Sequence, residues 1–291
     1  MDTPPERALA VGHTGVMSGE PALDPDVLAY YDQGRERSRL ETTSRLEYVR
    51  TRELLDRFLP PPPARILDVG GGAGAYAVPL IESGYDVVLV DPVPLHVDQA
   101  RGSGVSSAVV GDARTLAFDD DSFDAVLMLG PLYHLTERED RVRALRQAAR
   151  VVRPAGIVVA AVISRFASTL DGLQAGFLMD DRFERIVETD IATGCHDNAD
   201  GVPGWFTTAY FHRPDELDAE FDDAGCRVVG VLAIEGPASG MPDLAGWLDD
   251  AERRAVLLRA IGRVESEPSL LGSSSHILIV ARPSAKGASR P

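Results

Sequence analysis

Seven residues, Asp68-Val69-Gly70-Gly71-Gly72-Ala73-Gly74, constrain the fold of this chain more than any other stretch. They follow a short apolar run, Ala64-Arg65-Ile66-Leu67, and precede residues Ala75 to Ser83, whose pattern predicts a helix. A buried strand that ends in a glycine turn and feeds a helix start is a cradle for a small molecule. Glycine lets backbone approach a ligand, and the helix start offers unpaired N–H groups. The pattern is Asp-x-Gly-x-Gly-x-Gly. It is not the dinucleotide fingerprint Gly-x-Gly-x-x-Gly, because Ala75 stands at the third glycine position. A tight turn with no ligand would use the same letters, so the cradle reading needs support from the strands after it.

Asp86-Val87-Val88-Leu89-Val90-Asp91 reads as a second buried strand with a carboxylate at its tip. In a strand–helix–strand unit that carboxylate lies beside the glycine turn, where it can accept both hydroxyls of a ribose. A third apolar run, Val105 to Val110, ends in Gly111-Asp112-Ala113. A fourth, Phe123 to Leu129, ends in Gly130-Pro131-Leu132-Tyr133-His134. Every run stops at polar or turn residues on what would be the carboxyl edge of a parallel sheet, where open α/β sheets bind ligands.

These residues resemble the class I S-adenosylmethionine (SAM)-dependent methyltransferases. Ile66 to Gly74 is similar to the family's first motif. Asp91 matches the acidic residue that holds the ribose, and Gly111-Asp112-Ala113 the loop that contacts the adenine amino group. Arg153-Pro154-Ala155-Gly156 resembles the ending before the fifth strand, with Ala155 in place of a glycine. The resemblance covers residues 44 to 163, and the Gly-Pro-Leu-Tyr-His-Leu stretch is similar to a narrower group of bacterial small-molecule enzymes. It implies a Rossmann-like, doubly wound, mostly parallel seven-stranded α/β sheet with N-terminal helices and a lid insertion. It also implies SAM as cofactor, held by Tyr30, Asp68, Gly70, Gly72, Gly74, Asp91, Pro92, Asp112, Ala113, Leu129 and Gly130.

Composition narrows the alternatives. The chain has 291 residues, 44% of them hydrophobic, enough for one core with additions. A net charge of −16 disfavours a nucleic-acid partner, whose phosphates need a basic footprint. Lys286 is the sole lysine, in a tail rich in small residues, so Schiff-base and P-loop chemistry lack their lysine. Cys195 and Cys226 show no metal spacing and no disulfide framework, and no metal is expected. The opening residues lack the basic start and apolar core of a signal peptide. The longest apolar run, Ile157 to Ile163, is too short to span a bilayer. The chain reads as cytoplasmic, with no membrane partner. No pattern speaks to oligomeric state.

Along the chain, residues 1–24 read as a mobile segment and 25–283 as one domain. Within it, 25–60 form a helical cap and 164–213 a lid or substrate insertion; residues 284–291 are a tail. Helices are expected at Asp24 to Arg37, Ser44 to Phe58, Pro214 to Ala224 and Leu244 to Val264, and later strands at Ile157 to Ile163, Arg227 to Ile234 and Ser275 to Ala281. The last two strands read as a hairpin-like pair around a long connection.

Methyl transfer needs an aligned nucleophile and a dry pocket, and needs a base only where the nucleophile carries a proton at neutral pH. His134 and His212 are candidate bases, because histidine titrates in the useful range, and Tyr133 is a candidate pocket residue. Against these stand structural readings: His134 as a backbone-bonding helix residue, His212 as a residue leading into a helix, and Tyr133 as packing. Tyr30, Tyr31, Glu36 and Arg39 form a polar-aromatic group on the first helix, which reads either as a closing cap or as a packing face. His13, His96 and His276 read as structural or exposed. His196 falls in a mobile loop, Cys195 to Gly204. Trp205 and Phe206 either pack the lid or line the substrate cavity. The implied function is methyl transfer to an O, N or carboxylate acceptor of a small molecule or small peptide. A SAM-binding protein without transferase activity and a Rossmann-fold oxidoreductase are the alternatives.

Overall fold

In the computed structural model, Val27, Tyr31 and residues 44–284 are described. The readings for residues 1–24, Tyr30, Glu36, Arg39 and the tail beyond residue 284 lie outside them. The strands are β1 (Arg65–Val69), β2 (Asp86–Asp91), β3 (Ala108–Val110), β4 (Phe123–Met128), β5 (Val152–Ile163), β6 (Cys195–His196), β7 (Ala209–Tyr210), β8 (Cys226–Ala233) and β9 (His276–Pro283). All but β6 and β7 join one seven-stranded sheet, in the order β3-β2-β1-β4-β5-β9-β8. Pairing is parallel from β3 to β5, and β9 runs antiparallel between β5 and β8. The expected seven-stranded doubly wound sheet is present.

Alternation along the strands builds two cores. Leu67, Val69, Val88, Val126 and Val158 face one side, where they pack on Leu145 and Ala148 of the helix Arg138–Val151. Ile66, Leu89, Leu127 and Val159 face the other, against Leu54 and Leu55 of the helix Arg45–Phe58 and Val97 of the helix Pro94–Gly102. Both faces are covered, so these strands read as continuous apolar runs. The strand order reverses between β1 and β4, which opens a crevice at their carboxyl ends.

Several boundaries differ from the sequence reading. The first crossover helix starts at Ala77 rather than Ala75, because Gly70, Gly72 and Gly74 all take positive φ and hold the chain in turns. β3 is only three residues long; Val105 lies in the turn before it. The stretch expected as one helix from Leu244 to Val264 is two, Leu244–Asp249 and Ala251–Gly262. Asp250 is extended between them and caps the second by accepting from the N–H groups of Glu252 and Arg253.

Between β5 and β8 the chain makes helices Ala167–Ala175 and Asp181–Thr193, and β6 pairs with β7 in a two-stranded ribbon. Phe183, Val187 and Trp205 form a small core inside this segment. A buried network ties it to the sheet. Arg141 grips Glu220 at 2.7 Å, donates to the carbonyls of Leu135 and Thr136, and lies 3.7 Å over the Tyr210 ring. A buried guanidinium with every arm engaged fixes one geometry. Here it fixes the turn that comes after Tyr133 and His134. Among the described residues no helix is long and apolar enough to cross a membrane.

Candidate functional site

The crevice at the β1/β4 switch opens into a cavity of about 1100 Å³, counting its mouth. Its floor is the glycine turn. Gly70 donates to the Val90 carbonyl at 2.7 Å, and a Cβ there would stand 2.9 Å from Pro131, so the turn sits directly against the exit of β4. A Cβ on Gly71 would meet the Asp68 carboxylate at 2.6 Å. At Gly72, with φ +55°, a Cβ would meet nothing within 4 Å, and this residue lines the cavity. Gly74 does not line it. It faces Val105 and Ala100, where a Cβ would stand 3.1 Å from the Val105 side chain. The sequence reading grouped Gly74 with the ligand contacts; it serves close packing behind the turn instead. Gly71, which that reading passed over, does line the cavity, and the unbroken run of three glycines was its signal.

Two carboxylates flank this floor and differ sharply. Asp91 accepts from the Gly72 N–H at 2.8 Å, the Val93 N–H at 2.9 Å and His96 Nδ1 at 3.1 Å. Asp68 is 1% exposed, and its Oδ2 has no hydrogen-bond partner among the described residues. Burial, and then the negative charge of Asp91, push the Asp68 carboxyl up to about 7. His96 is 3% exposed and lines the cavity. With Nδ1 engaged by the Asp91 carboxylate, Nε2 is the ring nitrogen without a partner among the described residues. His96 thus holds Asp91, as its structural reading has it, and also lines the cavity.

At the β3 end, both Asp112 oxygens take hydrogen bonds from Arg114, which also reaches Asp140 at 2.6 Å. Burial opposes ionisation of Asp112, but the Arg114 bonds and charge win and hold its carboxyl below the ordinary range. Arg114 lines the cavity beside Asp112 and Ala113, and the sequence reading did not single it out. Pro92, Leu129 and Gly130 complete this wall as expected from their positions after β2 and β4.

The opposite wall comes from the short helix Pro131–His134 and from Tyr31. The Tyr31 hydroxyl lies 2.6 Å from His134 Nε2, and its ring meets the His96 and His134 rings edge-on at 5.4 and 5.2 Å. Tyr133 lines the cavity and packs on Phe206, whose ring is 5.8 Å from His134. Trp205 is in the insertion's own core.

His212 is not at the cavity. It is fully buried, with Nε2 3.3 Å from Glu220, and burial holds its pKa below the ordinary value. It belongs to the Arg141 network, so its candidacy as a base is withdrawn on position. His196 is not in a loose loop. It is 2% exposed in β6, its Nδ1 lies 2.9 Å from the buried Asp190, and its ring stacks on Phe211 at 4.7 Å. Glu47, Glu235 and His276 offer three ligand atoms within 4.8 Å, but the Glu235 oxygens already take bonds from Ser274 and from the backbone and ring of His276.

Comparisons with known proteins bear on the family and the fold. The profile of the family described as "Methyltransferase domain" matches residues 67–160, which run from β1 into β5. The chain is 40% identical over 105 residues to an uncharacterized methyltransferase of Mycobacterium bovis; the match covers 36% of this chain and 42% of that relative's length. It is 30% identical over 196 residues to a ubiquinone biosynthesis O-methyltransferase of Xanthomonas axonopodis pv. citri, covering 65% of this chain and 71% of the relative. In structure it is similar to the 1,6-didemethyltoxoflavin-N1-methyltransferase of Burkholderia thailandensis, which was solved with 1,6-didemethyltoxoflavin and S-adenosylhomocysteine bound. That likeness has a TM-score of 0.52 at 17% identity and covers 89% of this chain and 86% of that one.

Proposed function

Since the chain belongs to the class I SAM-dependent methyltransferases, we propose that it binds SAM in the cavity over the glycine turn and transfers its methyl group to a small acceptor. The observation that carries this reading is the open side of Gly72, set between a buried, partly unsatisfied carboxylate and a ribose-type carboxylate. The residues present fit the group. Asp91 lies where ribose hydroxyls would come, and His96 Nε2 is an added acceptor beside it. The bare Asp68 oxygen suits an ammonium group. Asp112 and Ala113 suit the adenine edge, and Pro92, Val93 and Leu129 suit its faces.

SAM supplies a methyl group made electrophilic by the sulfonium. The chain's own part is alignment and the exclusion of water. Tyr31 and His134 close the wall beside the turn, and Tyr133 and Phe206 present an apolar, aromatic side to the acceptor. An oxygen, nitrogen or carboxylate of a small molecule or small peptide fits this side, and the net charge of −16 weighs against nucleic acid. The test has two arms. Calorimetric titration should give binding of SAM but not of NAD. Incubation with SAM and a metabolite extract should release S-adenosylhomocysteine. Binding of NAD, or release that survives Gly72→Val at the wild-type rate, would sink the reading.

A further inference from the structure

The insertion holds a second carboxylate–imidazole pair that the cofactor reading leaves unused. Asp190 is fully buried; its Oδ2 accepts from His196 Nδ1 at 2.9 Å and also from the Ser168 hydroxyl. With the proton on Nδ1, the far nitrogen, Nε2, presents a lone pair. Neither His196 Nε2 nor Asp190 Oδ1 has a partner among the described residues. Native structures rarely leave two such buried atoms in one pair without a use, because each costs roughly 1–3 kcal/mol.

Position gives that use. The His196 ring lies 6.2 Å from the Phe206 ring, and Phe206 lies 5.8 Å from His134 and 6.2 Å from Tyr133 in the cavity wall. Phe206 therefore stands between the pair and two residues that line the cavity, Tyr133 and His134. His134, the base candidate inside the wall, already shares its Nε2 with the Tyr31 hydroxyl.

We infer that Asp190 and His196 form the acceptor-side general base, reached when the Phe206 side chain swings aside, and that the acceptor is a neutral hydroxyl on an aromatic or apolar skeleton. This deepens the methyltransferase reading and rests on it. The acceptor oxygen forms its bond to the methyl carbon as the carbon–sulfur bond breaks, and that electron pair stays on sulfur. The hydroxyl proton passes to His196 Nε2, and Asp190 balances the imidazolium charge through Nδ1–H. Phe206, Phe211 and Tyr133 supply apolar faces for the acceptor's skeleton. A carboxylate or a free amine would need no such base.

Diethyl pyrocarbonate, which acylates neutral, reachable imidazole nitrogens, tests the placement without turnover. Peptide-resolved labelling should find His196 protected in the wild type and labelled at least about tenfold faster in Phe206→Ala. Fully buried His212 should stay silent in both. No rise at His196 in a variant whose His212 stays silent would overturn the placement. If His212 is labelled in Phe206→Ala, that variant has opened globally, and Phe206→Leu carries the same comparison.

Turnover on a panel of simple phenols and alcohols tests the role. His196→Gln should lose about 10²-fold or more while SAM affinity stays within about twofold. Equal turnover, or a wild-type enzyme that methylates only carboxylates or amines, would overturn it. Calorimetric SAM binding by the wild type is read separately. Its absence would strike the cofactor reading, whereas these outcomes strike the base alone.

Discussion

Of two carboxylate–imidazole pairs, one lines the cavity and the other lies in the insertion behind Phe206, and they are built on different principles. Asp91 and His96 belong to the sheet edge; Asp91 is held by two backbone N–H groups besides the ring. Asp190 and His196 belong to the insertion, and only side chains hold Asp190 Oδ2. The first pair is therefore part of the turn's architecture, and changing it disturbs the floor as well as the ligand. The second is positioned by packing against Phe206 and Phe211 and can change without touching the sheet. A binding floor fixed by backbone can keep one geometry while an insertion varies what is brought to it.

The largest expected effect tests whether the floor is set by backbone alone. Gly72→Val places a branched side chain into the open cavity at φ +55°, and SAM binding should fall below detection in calorimetry. Its melting temperature should drop only modestly, whereas Gly74→Val, crowded against Val105, should lose more stability than Gly72→Val. The reverse order would exchange the roles of the two glycines.

Next comes the contrast between the pairs. Asp91→Ala should weaken SAM by about 2–4 kcal/mol, through lost charge-assisted hydrogen bonds. Because the Gly72 and Val93 N–H groups lose their acceptor, it should also destabilise the ligand-free protein by about 1–3 kcal/mol in urea unfolding. Asp190→Asn should leave SAM affinity within about twofold. An Asp91→Ala protein as stable as wild type would erase the contrast between a backbone-held pair and a side-chain-held one.

Asp68 adds a pH signature to the floor. Its folded pKa is raised to about 7, so between about pH 4 and 7 the native state keeps a proton that the unfolded chain has lost. Stability therefore declines as pH rises through that window, and the full penalty is present above it. Asp68→Asn should stabilise the ligand-free protein by about 1–4 kcal/mol at pH 8 and by little at pH 4. A cation in the cavity favours the ionised form, so wild-type SAM affinity should rise from about pH 5.5 to 7.5, with a proton released on binding. A flat profile would remove Asp68 from the site.

The smallest effect concerns the wall. Tyr31→Phe deletes the hydroxyl that meets His134 and should weaken SAM about threefold to tenfold, in line with one hydrogen bond of about 1 kcal/mol. No change in affinity would make Tyr31 a packing residue.

How legible each region was depends on how it is built. β2 and β4 were readable within a residue and β1 within two, because strands buried on both faces write continuous apolar runs and the turn needs glycine. Asp68, Asp91 and Asp112 could be placed because each lies at the end of such a run. That His96 also lines the cavity was not legible, because its position depends on one hydrogen bond to Asp91, which leaves no period in the sequence. The place of His212 away from the cavity was not legible for a related reason: its partner Glu220, and the Arg141 that bonds Glu220, come from two helices distant in sequence from each other, and only the folded chain brings them together. In the insertion, the core is small, Phe183, Val187 and Trp205, and the ribbon strands are two residues long, so the apolar pattern is faint and His196 read as part of a mobile loop.

The placement of β9 has a consequence for how the chain is made. Val158 of β5 pairs with Ala281 of β9, and among the described residues no earlier strand occupies that edge of β5. During synthesis, at about 5–20 residues per second, β5 emerges on the order of ten seconds before its neighbour exists. Throughout that interval an apolar strand shows an unpaired row of N–H and C=O groups. Expression of this protein should therefore respond to temperature and chaperone supply more than its folded stability would indicate.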